Sequence, residues 1–218
     1  VTDQDRADLL SYLTRQIDIF FPDERADTRE RLAGDLEEAL NRLLKCIDRV
    51  KMWRGTGFHY LHSEKNTIFL YYLANTIWRN RKDTAICEKL FYLNKALNGF
   101  HCFYDTELPD VFFVGHSVGI VLVRTTYSRY LVLYQGATVG KNHGKAPILE
   151  EGVVLYPGSA VIGGCLIRPR SYIAQNVSVI GHDTPGNCTV FQNNRELIFK
   201  PPKHDILGDF FHLDKAAS

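Results

Sequence analysis

The sequence of 218 residues has no excess of either charge: 26 basic residues stand against 25 acidic ones, a formal charge of +1 with a pI near 7.8. Such a balance leaves no electrostatic footprint for a phosphate backbone, so no nucleic-acid partner is expected. Also missing is any apolar run approaching the roughly eighteen residues that cross a bilayer. The first residues, Val1 to Leu10, are acidic and polar rather than signal-like, so a soluble, cytoplasmic protein with no membrane partner is expected. Paired cysteines are absent as well. Cys46, Cys87, Cys102, Cys165 and Cys188 are odd in number, widely spaced and free of any C-x-x-C, which argues against a disulfide framework and a structural zinc site. Reduced, buried thiols are expected instead. His59 and His62 have no cysteine or further histidine beside them in sequence, and no metal is expected there. What the chain does have is apolar content, 45% against 23% charged, enough to exclude intrinsic disorder and to build one large domain or two small ones.

Residues 1–100 carry a helical period. From Asp27 to Val50 the apolar positions Leu32, Leu36, Leu40, Leu43, Ile47 and Val50 stripe one face, with Glu30, Asp35, Glu38 and Arg42 expected to point away. Asp27 with Glu30 predicts a pair that satisfies first-turn amides. Ser63 similarly precedes the nearly all-apolar run from Thr67 to Trp78, which predicts a buried helix. Further helices are predicted over Asp3 to Ile17 and Asp83 to Leu97, the latter stopped by Asn98-Gly99.

After Gly99 the period changes. Leu149, Leu155, Val161, Ile167, Ile173 and Val179 follow one another at steps of six, and four residues beyond the first five come Val153, Ser159, Cys165, Ser171 and Val177, all small. A step of six suits neither a helix nor an alternating strand. It suits a chain that turns a corner every six residues around a triangular prism, so that Leu149 stacks on Ile167 and Val161 on Val179. A β-sandwich with chance spacing is the competing reading, but the segment lacks the hairpin turns it needs. The expected fold class is α+β: a helical domain over 1–100, a left-handed parallel β-helix of hexapeptide repeats over 101–200, and a C-terminal tail over 201–218.

Three words within this region carry a resemblance. His116-Ser117-Val118-Gly119-Ile120-Val121, Gln135-Gly136-Ala137-Thr138-Val139-Gly140 and the stretch from Pro147 to Gly152 resemble the hexapeptide-repeat acyltransferases, in particular the serine acetyltransferase branch. The resemblance implies an acetyl-coenzyme A-dependent O-acetyltransferase with acetyl-CoA as cosubstrate and no metal. His116 matches the family's catalytic histidine. An imidazole near its ordinary pKa of about 6.5 can take the proton from a hydroxyl as its oxygen attacks a thioester. A carboxylate would fix the tautomer, and Asp105, Glu107 and Asp110 lie just upstream. The family's acid aligns with Thr106, so Glu107 is favoured and Asp105 is second. For acetyl-CoA, the resemblance implies Gly140, Asn142, Lys145, Pro157, Gly158, Ser159 and Gln175. It also implies a homotrimer or a dimer of trimers, with active sites between neighbouring subunits.

Three departures bear on the acceptor. Gly115 replaces the aspartate that in the family's serine enzymes precedes the histidine, Lys145-Ala146 replaces an Arg-His pair, and the end Lys215-Ala216-Ala217-Ser218 lacks the isoleucine that docks into cysteine synthase. No cysteine synthase docking is therefore expected. The acceptor is a small molecule, with serine or a sugar hydroxyl both open. Phe103, Tyr104, Phe112, Phe113, Tyr127, Tyr130 and Tyr134 crowd the first coils, and aromatic rings can form platforms for sugars. An acetyltransferase acting on a sugar or nucleotide sugar in surface-polysaccharide biosynthesis is the first alternative, and a non-catalytic β-helix assembly protein is the second.

Overall fold

The computed structural model describes residues 3–23, 27–194 and 196–213. Four helices come first: α1 (Asp3–Phe20), α2 (Thr28–Arg49), α3 (Ser63–Arg81) and α4 (Thr84–Asn98), with a short 3-10 turn at Lys51–Trp53. The α2 stripe from Leu32 to Val50 is buried as expected. Asp35 and Arg42, expected to face outward, are buried too, because α3 covers that flank of α2. The Asp35 carboxylate accepts from Arg81 at 2.8 Å and Asn80 at 2.7 Å, and the Arg42 guanidinium lies 4.5 Å above the Tyr72 ring while donating to Thr76. Charges enter a core when they are paired and their stems lie on apolar surface.

The helix starts also differ from expectation. Asp27 caps no amide, since its carboxylate is taken by Arg31 at 2.7 Å. At α3 the cap is His62 rather than Ser63, its Nδ1 accepting from the Lys65 amide at 3.5 Å. Gly99 does end α4 in the left-handed conformation, φ 64°. Helix α3 is buried on all sides from Lys65 to Ile77, packed by α2, α4 and the first coils of the second half.

That second half is a parallel β-solenoid of three faces. One face stacks β1 (Phe100–Cys102), β3 (Ile120–Leu122), β5 (Thr138–Gly140), β8 (Ala160–Ile162) and β11 (Ser178–Ile180). A second stacks β2 (Phe112–Gly115), β4 (Leu131–Tyr134), β7 (Val154–Leu155), β10 (Ser171–Ile173) and β12 (Cys188–Asn193). The third holds β6 (Ile148–Leu149) and β9 (Leu166–Ile167), with Tyr127 bridged to Leu149. Leu149 pairs with Ile167 and Val161 with Val179, the stacking predicted from the period of six. All six aliphatic residues of that row are fully buried, each contributing about 1.5–3 kcal/mol of transfer free energy.

Left-handed residues turn the corners. Between the second face and the first, Gly119, Gly136, Gly158 and Asn176 have φ of 80°, 70°, 68° and 58°. The amides of Gly136, Gly158 and Asn176 each donate to a carbonyl of the coil before, at 3.0, 2.9 and 2.9 Å. Gly158 needs both its positive φ and its missing side chain, since a Cβ there would collide with the Asn176 Oδ1.

The stack ends differently from how it runs. Strand β13 (Glu196–Lys200) pairs antiparallel with β12 at the sheet margin. Helix α5 (Ile206–Phe210) and Phe211 then pack back on the molecule, burying Ile206, Leu207 and Phe211. Phe211 bridges to Val50, and the His212 amide donates to the Arg49 carbonyl at 2.9 Å. The end at Lys215 to Ser218 lies outside the described residues. No described helix is long and apolar enough to cross a membrane.

Candidate active site

The strand register shows why His116 stands out from its coil. Gly115 and Val121, six residues apart, lie opposite Tyr134 and Thr138, four apart. The corner bearing His116 therefore holds two residues more than the corner of the next coil, and the surplus is extruded. His116 takes a left-handed φ of 57°, a conformation that non-glycine residues occupy at a cost and that concentrates at functional positions. Its side chain is 72% exposed. Gly115 before it has no room for a side chain, because an added Cβ would sit 2.7 Å from Tyr134 Cε1.

A second surplus follows β5. Gly140 and Leu149, nine residues apart, lie opposite Ile162 and Ile167, five apart. The extra residues form a small hairpin in which the amides and carbonyls of Asn142 and Lys145 exchange hydrogen bonds of 2.9 and 3.0 Å across His143-Gly144. Lys141, Asn142, His143 and Lys145 are all exposed. The hairpin carries positive charge, and the Lys145 stem lies over Gly164 of the next coil.

The residues singled out from the sequence thus fall on two edges of one face. His116, Pro157-Gly158 and Gln175 line the edge where the chain enters the first face; Gly140, Asn142 and Lys145 line the edge where it leaves. Between them the outward positions Val121, Thr138, Ala160, Ile162, Ser178 and Ile180 are uncharged. Ser159 is different. Its side chain is fully buried, and its amide and carbonyl are engaged with Tyr156 and Thr138.

Of the three upstream carboxylates, the two favoured ones have partners of their own. Asp105 pairs with Arg124 at 3.0 Å, and Glu107 is gripped by Arg79 and by the Asn75 amide. Burial alone would raise the Glu107 carboxyl, but the bonds and charge of Arg79 bring it below its ordinary value. Thr106, at the family's acid position, is fully buried. The carboxylate that faces His116 is instead Glu64, in the first turn of α3, its Oε1 3.9 Å from His116 Nδ1. Sequence reading missed it because 52 residues separate the two, and no local pattern links them. Only its position, two residues after a histidine cap at a helix start, set it apart.

A cleft of about 400 Å³ lined by Asp5, Asp8, Leu44 and the 56–60 segment contains none of these residues. Among the described residues no group of three or more His, Cys, Asp and Glu is placed to hold a metal ion.

No family model matches the sequence, and no curated protein sequence does either. Solved structures do. A serine acetyltransferase isoform 3 from Entamoeba histolytica, solved in complex with cysteine, superposes with a TM-score of 0.60 at 17% identity, over 93% of this chain and 75% of that one. The Neisseria gonorrhoeae serine acetyltransferase gives 0.63 at 16% identity, over 82% and 71%. The chain has the fold of the serine acetyltransferases. That fold includes the helical half, since a third match, the Brucella abortus strain S19 enzyme in complex with coenzyme A, also covers 81% of the chain, at TM-score 0.61 and 16% identity.

Proposed function

We propose that the protein is an acetyl-CoA-dependent O-acetyltransferase that transfers the acetyl group directly to an acceptor hydroxyl, with His116 as general base. The observation that carries this reading is the extruded corner: a histidine, in a family-like word, lifted from the solenoid into solvent. With Nδ1 turned toward a carboxylate, Nε2 is the nitrogen left for the acceptor. His116 takes the hydroxyl proton as the oxygen–carbon bond forms. When the carbon–sulfur bond breaks, His116 returns that proton to the departing sulfur, giving an acetyl ester, a free thiol and a neutral imidazole. Holding both reactants side by side supplies the orientation advantage, so no acyl-enzyme is needed.

The residues present suit the cosubstrate. Lys141, His143 and Lys145 on the hairpin offer positive charge to phosphates, and the Pro157-Gly158 and Gln175 corners offer close backbone approach for the pantetheine arm. These groups occupy opposite edges of an uncharged face. A homotrimer, alone or as a pair of trimers, would bring the His116 edge of one subunit to the hairpin edge of the next.

A second reading, transfer to a sugar or nucleotide-sugar hydroxyl, is favoured by Gly115. The Tyr134 ring excludes a side chain at that position, so no carboxylate there can hold the ammonium group of an amino-acid acceptor. The test is thioester consumption with L-serine against a panel of sugars and nucleotide sugars. Turnover of sugars alone overturns serine as acceptor, turnover of serine alone overturns the sugar reading, and an undiminished rate in His116→Ala overturns the mechanism.

A further inference from the structure

A carboxylate at the start of α3, Glu64, meets the extruded corner of the solenoid. Glu64 Oε1 lies 3.9 Å from His116 Nδ1, while its Oε2 lies 3.3 Å from His62 Nδ1 and accepts from Ser63 Oγ at 2.9 Å. His62 Nδ1 also accepts the Lys65 amide as the helix cap, which keeps that nitrogen occupied. The Lys65 ammonium turns away, to Thr56 Oγ1 at 2.6 Å and the Gly57 carbonyl at 2.8 Å. Glu64 is thus anchored on one oxygen and open toward His116 on the other.

The backbone beneath this contact is pinned. The His62 ring meets Trp53 edge-on at 5.9 Å, Trp53 packs on Phe113 at 5.0 Å, and Phe113 is 3% exposed on strand β2, three residues before His116. A run of rings therefore fixes the start of α3 against the strand that delivers the histidine. The solenoid's own candidates are committed elsewhere, Asp105 to Arg124 and Glu107 to Arg79.

We propose that Glu64 is the positioning residue for His116: a carboxylate supplied by the helical half takes the role for which the solenoid has only a buried threonine. It holds the imidazole with its proton on Nδ1 and stabilises the imidazolium that forms during transfer. Hydrogen bonds of this kind are often long before substrate binds and tighten in the reacting complex. The inference rests on the reading of His116 as base, but it makes a claim about the free protein that needs no turnover.

The test has two arms. In the free protein, nitrogen-15 NMR of the His116 ring should show the Nδ1–H form in excess, and Glu64→Gln should shift the population toward Nε2–H. In turnover, Glu64→Gln should lower kcat about 10- to 100-fold with KM for the thioester nearly unchanged. Glu64→Asp, which keeps the charge on a shorter arm, should recover part of both signals. An unchanged tautomer population in Glu64→Gln overturns the pairing, whatever the activity. A fully active His116→Ala overturns the base assignment and leaves the NMR result standing by itself.

Discussion

The coils from Leu149 to Ile180 and the coils from Phe112 to Pro147 are the same construction with different tolerances. In the later coils every sixth residue is a buried aliphatic, and the register between strands holds at eighteen residues. In the earlier coils the steps between paired strands are 19, 17 and 22 residues, and two insertions, one at His116 and one at the 141–146 hairpin, push polar side chains out of the prism. The contrast separates two tasks: regular coils hold the stack together, and the surplus residues carry the candidate chemistry. In the regular coils only the backbone at corners such as Pro157-Gly158 and Gln175 is left to meet a ligand, whereas the insertions supply side chains.

If that separation is right, perturbations should sort cleanly. The largest expected effect is on activity: His116→Ala should cut turnover by about 10²- to 10⁴-fold while leaving the circular dichroism spectrum and melting temperature in place. The reverse pattern is expected for Ile167→Ala in the regular coils, a loss of about 2–5 kcal/mol measured by denaturant unfolding, from lost burial and the cavity left behind. A variant that lowered both in parallel would blur the distinction. Gly115→Ala sharpens it at the boundary. The added methyl meets Tyr134, so an overpacking cost of about 1–3 kcal/mol is expected, and L-serine turnover should not improve. Lys145→Ala should raise KM for acetyl-CoA about 3- to 10-fold, with the difference shrinking in high salt as screening takes over.

The smallest effect concerns Glu107. Its carboxyl titrates below the ordinary value of 4.5 in the folded chain, so its contribution is present above that value and is lost as pH falls through the folded one. Because both partners are well exposed, Glu107→Gln should cost under about 1 kcal/mol at neutral pH. Melting curves of the variant and the parent should converge on acidification. Curves that stay apart at acid pH, once the carboxyl is protonated, would show that the contact is not the ion pair.

The two halves of the molecule were unequally legible from sequence. The solenoid advertised itself, since each coil repeats the same demand for one large aliphatic and one small residue, and six repeats make the period visible in a single chain. The helical stripe was equally plain at Leu32 to Val50. What stayed hidden depends on contacts made far along the chain. Asp35 and Arg42 look like surface residues until Arg81, Thr76 and Tyr72 close over them. The Asp27 and Ser63 starts followed local capping rules, and a nearby arginine and a preceding histidine won instead. In the candidate site, His116 was readable because its word is contiguous. Glu64 was not, because only the docking of α3 on β2 brings it there. Ser159 looked available at a corner, but in a stack of six-residue steps that position turns inward.

Strand β13 has one further consequence. A pile of parallel coils ends in an unpaired strand that any identical molecule could copy, and unlimited end-to-end growth is the hazard of such shapes. By folding back in the opposite direction, with Glu196 and Lys200 at its two ends, β13 presents a margin on which the next coil has no matching template. On that face the repeat is closed by a strand of opposite direction, while β9 and β11 end the other two.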